Sequence, residues 1–129
     1  MVINTSAIMA LLLKEPDRDR IARSLALAGG AKLSAGSWIE LGAVLTRRHD
    51  NLKPELDEAI ETFAIVIAPA TVEQARIGHD AYRRFGIGSG HPARLNFGDC
   101  FAYALAKSLD EPLLFKDEDF AQTDVTPAR

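Results

Sequence analysis

The sequence predicts an α/β domain in which a mainly parallel sheet is covered by helices on both faces. Four short apolar runs alternate with longer segments in which apolar residues recur at helical spacing. The links between these segments are short, which is typical of repeated strand-helix-strand units whose strands run parallel. The predicted strands cover residues 1–3, 32–34, 65–67 and 113–115.

Capping residues and helix-ending residues place six helices between and around these strands. Thr5 and Ser6 offer a cap for the first helix, and Asp17 caps the second. Lys53-Pro54 starts the fourth, because proline is tolerated in a first turn. We therefore expect helices over residues 7–13, 18–27, 37–48, 53 onward, 71–85 and 99–107.

Two of these helices begin with a capping-box pattern, in which Ser or Thr is followed three residues later by Glu or Gln. Ser37 with Glu40 starts the third helix, and Thr71 with Gln74 starts the fifth. Helix capping is therefore one interpretation of Glu40, and a role in a functional site is the other. The two are compatible if the start of the helix faces the site.

Irregular segments remain after the fifth helix and at the end of the chain. Residues 86–92 contain three glycines and a proline and predict a mobile loop, in which a lone histidine, His91, is expected to be solvated. The tail from Thr123 is expected to fray unless residues 124–125 add an edge strand.

Composition limits the class of protein. The 129 residues, 47% hydrophobic and 26% charged, suit one globular domain over residues 1–129. No apolar run reaches the roughly 20 residues of a membrane helix, and no secretory leader is recognised, so a cytoplasmic location without membrane contact is expected. Cys100 cannot form an internal disulfide and lies in an apolar helix, which predicts a small buried hydrophobe.

The overall charge does not favour nucleic acid, but local charge can. A net charge of −3 gives no attractive field for a polyanion. A basic strip could still bind one, and the candidates stand near helix ends: Arg47, Arg48, Arg83, Arg84 and Arg94.

Asp99 is the acid that the sequence places most unusually. It begins a helix whose residues Phe101, Ala102, Leu105 and Ala106 recur at helical spacing and predict burial. An unpaired carboxylate at the start of a buried helix is costly. The helix dipole alone could favour it there, so further acids nearby decide the interpretation.

Several polar or acidic residues follow strand ends or begin helices, as Asp99 does. A parallel sheet gathers such positions along one edge. The group comprises Asn4, Glu40, Asp99 and the run Asp117-Glu118-Asp119. Carboxylates about 4 Å apart repel by roughly 4 kcal/mol per pair at an effective dielectric constant of 20, so a convergent cluster needs a cation or protons.

The ligand types predict which cation would bind. Carboxylates without histidine or cysteine select hard, oxygen-binding ions, and we expect Mg²⁺ or Mn²⁺. Such an ion can generate hydroxide for in-line attack on a phosphodiester and stabilise the leaving oxygen.

Three segments together resemble a known family. The stretches VINTSA at the N-terminus, LNFGDCFAYALAK around Asp99 and LLFKDEDFAQTDV near the C-terminus are similar to the VapC branch of the PIN-domain nucleases, the toxins of toxin–antitoxin pairs. The resemblance runs from Met1 to about Val125. It implies a three-layer PIN-like sandwich with four or five short strands, and an Mg²⁺- or Mn²⁺-dependent endoribonuclease whose acids meet at one end of the sheet.

The resemblance also implies roles for individual residues. Asp99 and Glu40 become catalytic acids and metal ligands, and Ser6 and Thr5 support the cluster. The fourth acid stays open: the VapC pattern points to Asp119 before Phe120, and the wider PIN pattern points to Asp117, which we favour slightly because it lies closer to the strand.

One position departs from the family pattern. Members carry an aspartate where this sequence has Asn4, which keeps the shape of aspartate and loses its charge. We therefore predict weakened metal binding and low activity. The change is either a deliberate substitution that silences a toxin or a natural loss of activity.

Partners follow from the same resemblance. It implies an RNA substrate, a homodimer and a VapB-type antitoxin whose C-terminal segment lies across the acidic cleft and offers an arginine to the carboxylates. An alternative class is a non-catalytic binding module of the same fold, silenced at Asn4 and retained to bind RNA or a protein. A phosphatase is disfavoured, because Asn4 is no nucleophile and no phosphate-binding glycine loop follows a strand.

Overall fold

The structure, a computed structural model, describes residues 1–116 and 118–128. Within those residues four strands form one all-parallel sheet in the order β3-β2-β1-β4. The strands are β1 (Val2–Ile3), β2 (Ala31–Ser34), β3 (Ile65–Ala68) and β4 (Leu113–Leu114). The predicted parallel sheet and α/β class are confirmed, with strands at the predicted places.

Six α-helices accompany the strands in the described part of the chain, and each lies at a predicted place. They are α1 (Thr5–Leu12), α2 (Arg18–Ala28), α3 (Ala35–Arg48), α4 (Lys53–Thr62), α5 (Val72–Phe85) and α6 (Asp99–Leu109). Short 3-10 helices cover Asp50–Leu52 and Phe120–Gln122.

Alternation along the strands separates two hydrophobic cores. Ile3 and Leu114 point to one face of the sheet and pack with α1 to α4. Their strand neighbours Val2 and Leu113 point to the other face and pack with α5 and α6. All four side chains have no exposed surface. The predicted three-layer arrangement, with helices on both faces, therefore follows from the period of two in each strand.

Two helices begin earlier than their sequence signals indicate. α3 starts at Ala35, directly after β2, and the Ser34 hydroxyl caps it by accepting from the Gly36 amide at 3.2 Å. The prediction of a capping box formed by Ser37 and Glu40 is therefore wrong, because both residues lie inside the helix. α1 likewise starts at Thr5, with Asn4 at the cap position, so the cap predicted from Thr5 and Ser6 is also wrong.

The second capping box is half formed. The Thr71 hydroxyl accepts from the Gln74 amide at 3.1 Å, as predicted for a cap. The Gln74 side chain does not return to Thr71 and instead donates to the Pro69 carbonyl at 3.2 Å.

The segment after α5 is irregular but anchored at both ends. Gly86 and Leu95 form an isolated bridge, and the Ile87 amide donates to the Leu95 carbonyl at 2.9 Å. His91 packs edge-on against Phe85, with ring centroids 4.8 Å apart, and its Nδ1 accepts from the Ala93 amide. The prediction of a freely solvated His91 was wrong, because the ring closes this loop.

The C-terminal tail is docked alongside β4. The Leu113 amide donates to the Thr126 carbonyl at 2.8 Å, and the Ala128 amide donates to the Leu113 carbonyl at 2.9 Å. The isolated bridge pairs Leu113 with Pro127, so the contact lies two residues beyond the edge strand predicted at 124–125. In the part of the chain that is described, no helix has the length and apolar character needed to cross a membrane.

Candidate active site

The candidate site lies where the strands of the sheet end. Asn4 follows β1, Glu40 stands in the second turn of the helix that follows β2, and Asp119 comes shortly after β4. Asp99 begins α6, which contacts β1 and β2. The carboxyl edge of a parallel sheet is the usual position of a ligand site in α/β proteins.

Asn4 is held at the end of β1 by its backbone and by Ser6. Its amide N–H donates to the Leu114 carbonyl at 2.9 Å. Its side-chain Nδ2 donates to the Ser6 hydroxyl at 3.0 Å, and the same hydroxyl accepts from the Lys116 amide at 3.3 Å. Ser6 therefore holds the NH₂ group of the Asn4 side chain, and it ties α1 to the chain after β4.

Among the described residues, the other atom of the Asn4 side chain has no hydrogen-bond partner. Asn4 is 3% exposed, and its Oδ1 is buried and unpaired. The hydroxyl of the neighbouring residue, Thr5, is also buried and finds no partner within residues 1–116 and 118–128. An unpaired buried acceptor costs about 1–3 kcal/mol. This cost would be offset by a donor or a cation beside Oδ1.

Asp99 is oriented by a reciprocal pair of hydrogen bonds with Asn96. The Asp99 amide donates to Asn96 Oδ1 at 2.8 Å, and the Asn96 amide donates to Asp99 Oδ2 at 3.0 Å. This is a capping box in which asparagine and aspartate replace the usual serine and glutamate. It engages Oδ2, and the Asn4 side chain gives the same carboxyl group a further hydrogen bond.

Glu40 reaches Asp99 across Gly98. A methyl group added at Gly98 would overlap with the Glu40 carboxylate, whose Oε1 would lie only 2.8 Å from it. The carboxylate of α3 is therefore packed on the backbone at the start of α6. The early start of α3 makes this possible, because it places Glu40 beyond the first turn and frees its side chain from capping.

The pKa of Asp99 reflects its burial and its charged and polar neighbours. The pKa of Asp99 is raised from 3.8 to about 6, mainly by burial and also by the negative charges of Glu40 and Asp119. Hydrogen bonds from the Asn96 backbone and the Asn4 side chain act in the opposite direction. The carboxyl group of Asp99 is thus influenced by Glu40, Asp119 and Asn4, which are far from it in sequence.

The choice between Asp117 and Asp119 stays open. Asp117 lies outside the described residues, and the structure places Asp119 close enough to Asp99 to act on its charge.

The donor set fits a hard divalent cation in its chemistry. Among the described residues no three Asp, Glu, His or Cys side chains converge into a metal-binding group. The possible ligand atoms gathered here belong to the carboxylates of Asp99 and Glu40 and to the buried amide oxygen of Asn4, whose side chain also hydrogen-bonds the Asp99 carboxyl group. All are oxygens, the ligands that Mg²⁺ and Mn²⁺ prefer. A cation would pair with Oδ1 and reduce the repulsion between the acids.

Cys100 takes no part in this chemistry. Its side chain is buried, and burial raises the pKa of the thiol to about 11, so it carries no thiolate at neutral pH. The prediction of a small buried hydrophobe is confirmed.

Two residues of the site were missed by the sequence reasoning in different ways. Asn96 carries a readable signal, since Asn-x-x-Asp has the spacing of a capping box. Gly98 was noted only as a turn residue, but its φ of −63° and ψ of −36° are ordinary helical angles. Its importance lies in the space that a side chain would occupy, and a sequence does not show that space.

Comparisons with known proteins agree with this architecture. A sequence model of the PIN domain matches residues 1–125. Ribonuclease VapC28 of Mycobacterium tuberculosis is 49% identical over 129 residues, covering 99% of this chain and 97% of the relative. Ribonuclease VapC42 of the same species is 39% identical over 132 residues, covering 99% and 98%.

A solved structure resembles the fold at much lower sequence identity. The crystal structure of M. tuberculosis VapC20, described as a sarcin-ricin loop cleaving toxin, superposes with a TM-score of 0.76 at 16% identity, covering 99% of this chain and 98% of that one. A toxin-antitoxin complex from Klebsiella pneumoniae gives 0.67 at 16% identity, covering 93% and 89%. The chain belongs to the PIN-domain family and, within it, to the VapC ribonucleases.

Proposed function

We propose that this chain is the toxin of a VapBC-type pair, built as an Mg²⁺- or Mn²⁺-dependent endoribonuclease and weakened by Asn4. The observation that carries the proposal is the meeting of the Asp99 and Glu40 carboxylates with the Asn4 side chain at the carboxyl edge of the sheet. Relatives named ribonucleases over nearly the whole chain support the reaction class.

Each side chain has a defined part in this proposal. Asp99 presents its carboxylate, Glu40 presents its own beside Gly98, and Asn4 presents its amide oxygen. A divalent ion bound by these atoms would supply activated water and stabilise the leaving oxygen of the phosphodiester. Ser6 holds Asn4 in place, and either Asp117 or Asp119 completes the acidic set.

Asn4 accounts for the expected weakness. An amide oxygen is a neutral ligand, and the NH₂ group that replaces the second carboxylate oxygen is a hydrogen-bond donor, to Ser6 and to Asp99, and cannot bind a cation. The site therefore has one negative charge fewer with which to hold a doubly charged cation.

The test compares the chain with an Asn4→Asp variant on a structured RNA. With Mg²⁺ or Mn²⁺ present we expect clear cleavage by the variant and little by the chain as it stands, and we expect EDTA to abolish both. Cleavage that survives EDTA would contradict the metal-dependent mechanism, and absence of cleavage in both proteins would contradict the nuclease.

A second candidate function, a non-catalytic binding module, is favoured by the same neutral Asn4. Isothermal titration with Mn²⁺ separates the two. A module that no longer uses the site should gain no Mn²⁺ affinity from Asn4→Asp, whereas a nuclease with one weakened ligand should gain it.

An antitoxin is the expected protein partner. Membership of the VapC group supports this, and one structural neighbour is described as a toxin-antitoxin complex. The cluster around Asp99 gives the chemical reason, because an arginine placed across it would form charge-assisted hydrogen bonds to the carboxylates. Such an arginine would compete with a metal ion for the same oxygens.

A homodimer is the expected assembly, and an apolar face between α5 and α6 could form it. A cleft of about 390 Å³ lies there, with mainly apolar walls that include Phe97, Tyr82 and Phe101. Phe97 is 76% exposed, and Val72 nearby on α5 is 70% exposed. Exposed apolar surface of this kind is typical of an interface, and two copies would bury it symmetrically.

We expect Phe97→Glu to weaken this dimer by about tenfold or more, since a carboxylate would replace a buried aromatic anchor. Light scattering after gel filtration measures it: the parent should show twice the 14.0 kDa of one chain, and the variant should dissociate on dilution. Leu27→Glu is the matched control, because Leu27 is 80% exposed on α2. Equal effects of the two substitutions would contradict this interface.

A further inference from the structure

Gly98 stands between the two acids of the site. It is buried and lies directly before Asp99, where α6 begins. Its backbone angles, φ −63° and ψ −36°, are available to every residue. The need for glycine at this position therefore does not come from the backbone conformation.

The space beside the Cα atom of residue 98 explains why this residue is glycine. The volume that a Cβ would fill is occupied by the carboxylate of Glu40. The atoms in conflict belong to the end of a flexible side chain and not to the backbone. A methyl group would therefore displace Glu40 and leave the packing of α6 in place.

We propose that Gly98 is a positioning residue, whose missing side chain admits the Glu40 carboxylate to the side of Asp99. The inference rests on the proposed function, since it assigns to that carboxylate the task of binding the divalent ion with Asp99. Any side chain at position 98 excludes Glu40 from the site. The chain can then fold normally and still fail to assemble its ligands.

The closest comparison within the chain is Gly42. It lies on α3, the helix that carries Glu40, and a Cβ built there meets no atom of the described residues within 4 Å. Gly42→Ala therefore makes the same chemical change near the same side chain without filling occupied space.

The experiment is a double-mutant cycle in the Asn4→Asp protein, with Gly98→Ala, Glu40→Ala and both together. Mn²⁺ affinity is measured by isothermal titration, and the midpoint of thermal unfolding is measured without metal. We expect Gly98→Ala to weaken Mn²⁺ binding by about tenfold or more without lowering the midpoint, because alanine favours a helix over glycine. We expect no further loss when Glu40 is already alanine, and no loss in Gly42→Ala.

Two outcomes would overturn the proposal. Mn²⁺ affinity within twofold of the parent in Gly98→Ala would show that Glu40 is not excluded. An equal loss with and without Glu40 would show that Gly98 acts through another group.

Failure of the proposed function gives a different result, because the Asn4→Asp parent would then bind no Mn²⁺. In that case the midpoints of thermal unfolding, measured without metal, still test the role of Gly98. Gly98→Ala should raise the midpoint more in the Glu40→Ala background than with Glu40 present, because the volume beside residue 98 is empty only when the Glu40 carboxylate has been removed. Additive changes would overturn the positioning role.

Discussion

Asn4→Asp is expected to tighten Mn²⁺ binding by roughly tenfold to a hundredfold and to give the largest gain in RNA cleavage of any single substitution. Two unit charges attract by about 4 kcal/mol at 4 Å and an effective dielectric constant of 20, and each tenfold in affinity needs only about 1.4 kcal/mol. The new carboxylate also repels Asp99 and Glu40. A bound ion lies about 2 Å from each oxygen, closer than the acids lie to one another, so the attraction exceeds the repulsion.

The matched control for this gain is Asn51→Asp. Asn51 is exposed in the short 3-10 helix after α3, so the substitution adds the same charge away from the site. Isothermal titration should show tighter binding only for Asn4→Asp. Similar affinities in the two variants would mean that net charge, and not a restored ligand, accounts for the gain.

Asp99→Asn is expected to act in opposite directions on function and on stability. In the Asn4→Asp protein it should abolish Mn²⁺ binding and RNA cleavage, because it removes the acid at the centre of the site. In the chain as it stands, without metal, it should raise the free energy of unfolding above pH 6. Burial and neighbouring acids make the charged form of Asp99 unfavourable, and asparagine carries no charge.

The raised pKa of Asp99 determines how its contribution to the free energy of unfolding changes with pH. The pKa of Asp99 is raised from 3.8 to about 6, so between these values the folded chain binds more protons than the unfolded chain. The Asp99 contribution to stability is therefore present below about pH 4 and is lost as the pH rises through 6. After allowance for solvent screening, the loss is on the order of 1–2 kcal/mol.

Urea unfolding at pH 5 and pH 7.5 measures this loss. The fall in stability attributable to Asp99 should disappear in Asp99→Asn and persist in Asp110→Asn. Asp110 is an exposed aspartate whose φ of 52° suits asparagine, which makes it a fair control. Parallel pH dependence in the parent and in Asp99→Asn would contradict the raised pKa.

The sequence alone allows Asp99 and the strands of the sheet to be predicted. It does not show the contact between Glu40 and Gly98 that brings the two acids together. Asp99 is recognisable because a carboxylate interrupts an apolar helical pattern at its start. Strand positions are recognisable because short apolar runs alternate with helices. Both signals are local, and local patterns survive in the fold when packing agrees with them.

Glu40 shows where local patterns fail. Its spacing from Ser37 is that of a capping box, but the chain turns from β2 into α3 with no intervening loop, and Ser34 takes the cap. The true start of the helix depends on where the strand ends, which is set by pairing with β1 and β3. Gly98 depends on a contact between two helices, and no short-range pattern encodes such a contact.

The central position of β1 has a consequence for the timing of assembly. β1 pairs with β4, and Ser6 accepts from the Lys116 amide, so the pocket around Asn4 needs residues from both ends of the chain. A ribosome adds about 5–20 residues per second, so the first strand is made several seconds before the last. A nascent chain that ends before Leu113 therefore has its first strand but no finished pocket. An activity that depends on this pocket therefore cannot begin before residues 113–116 have been synthesised.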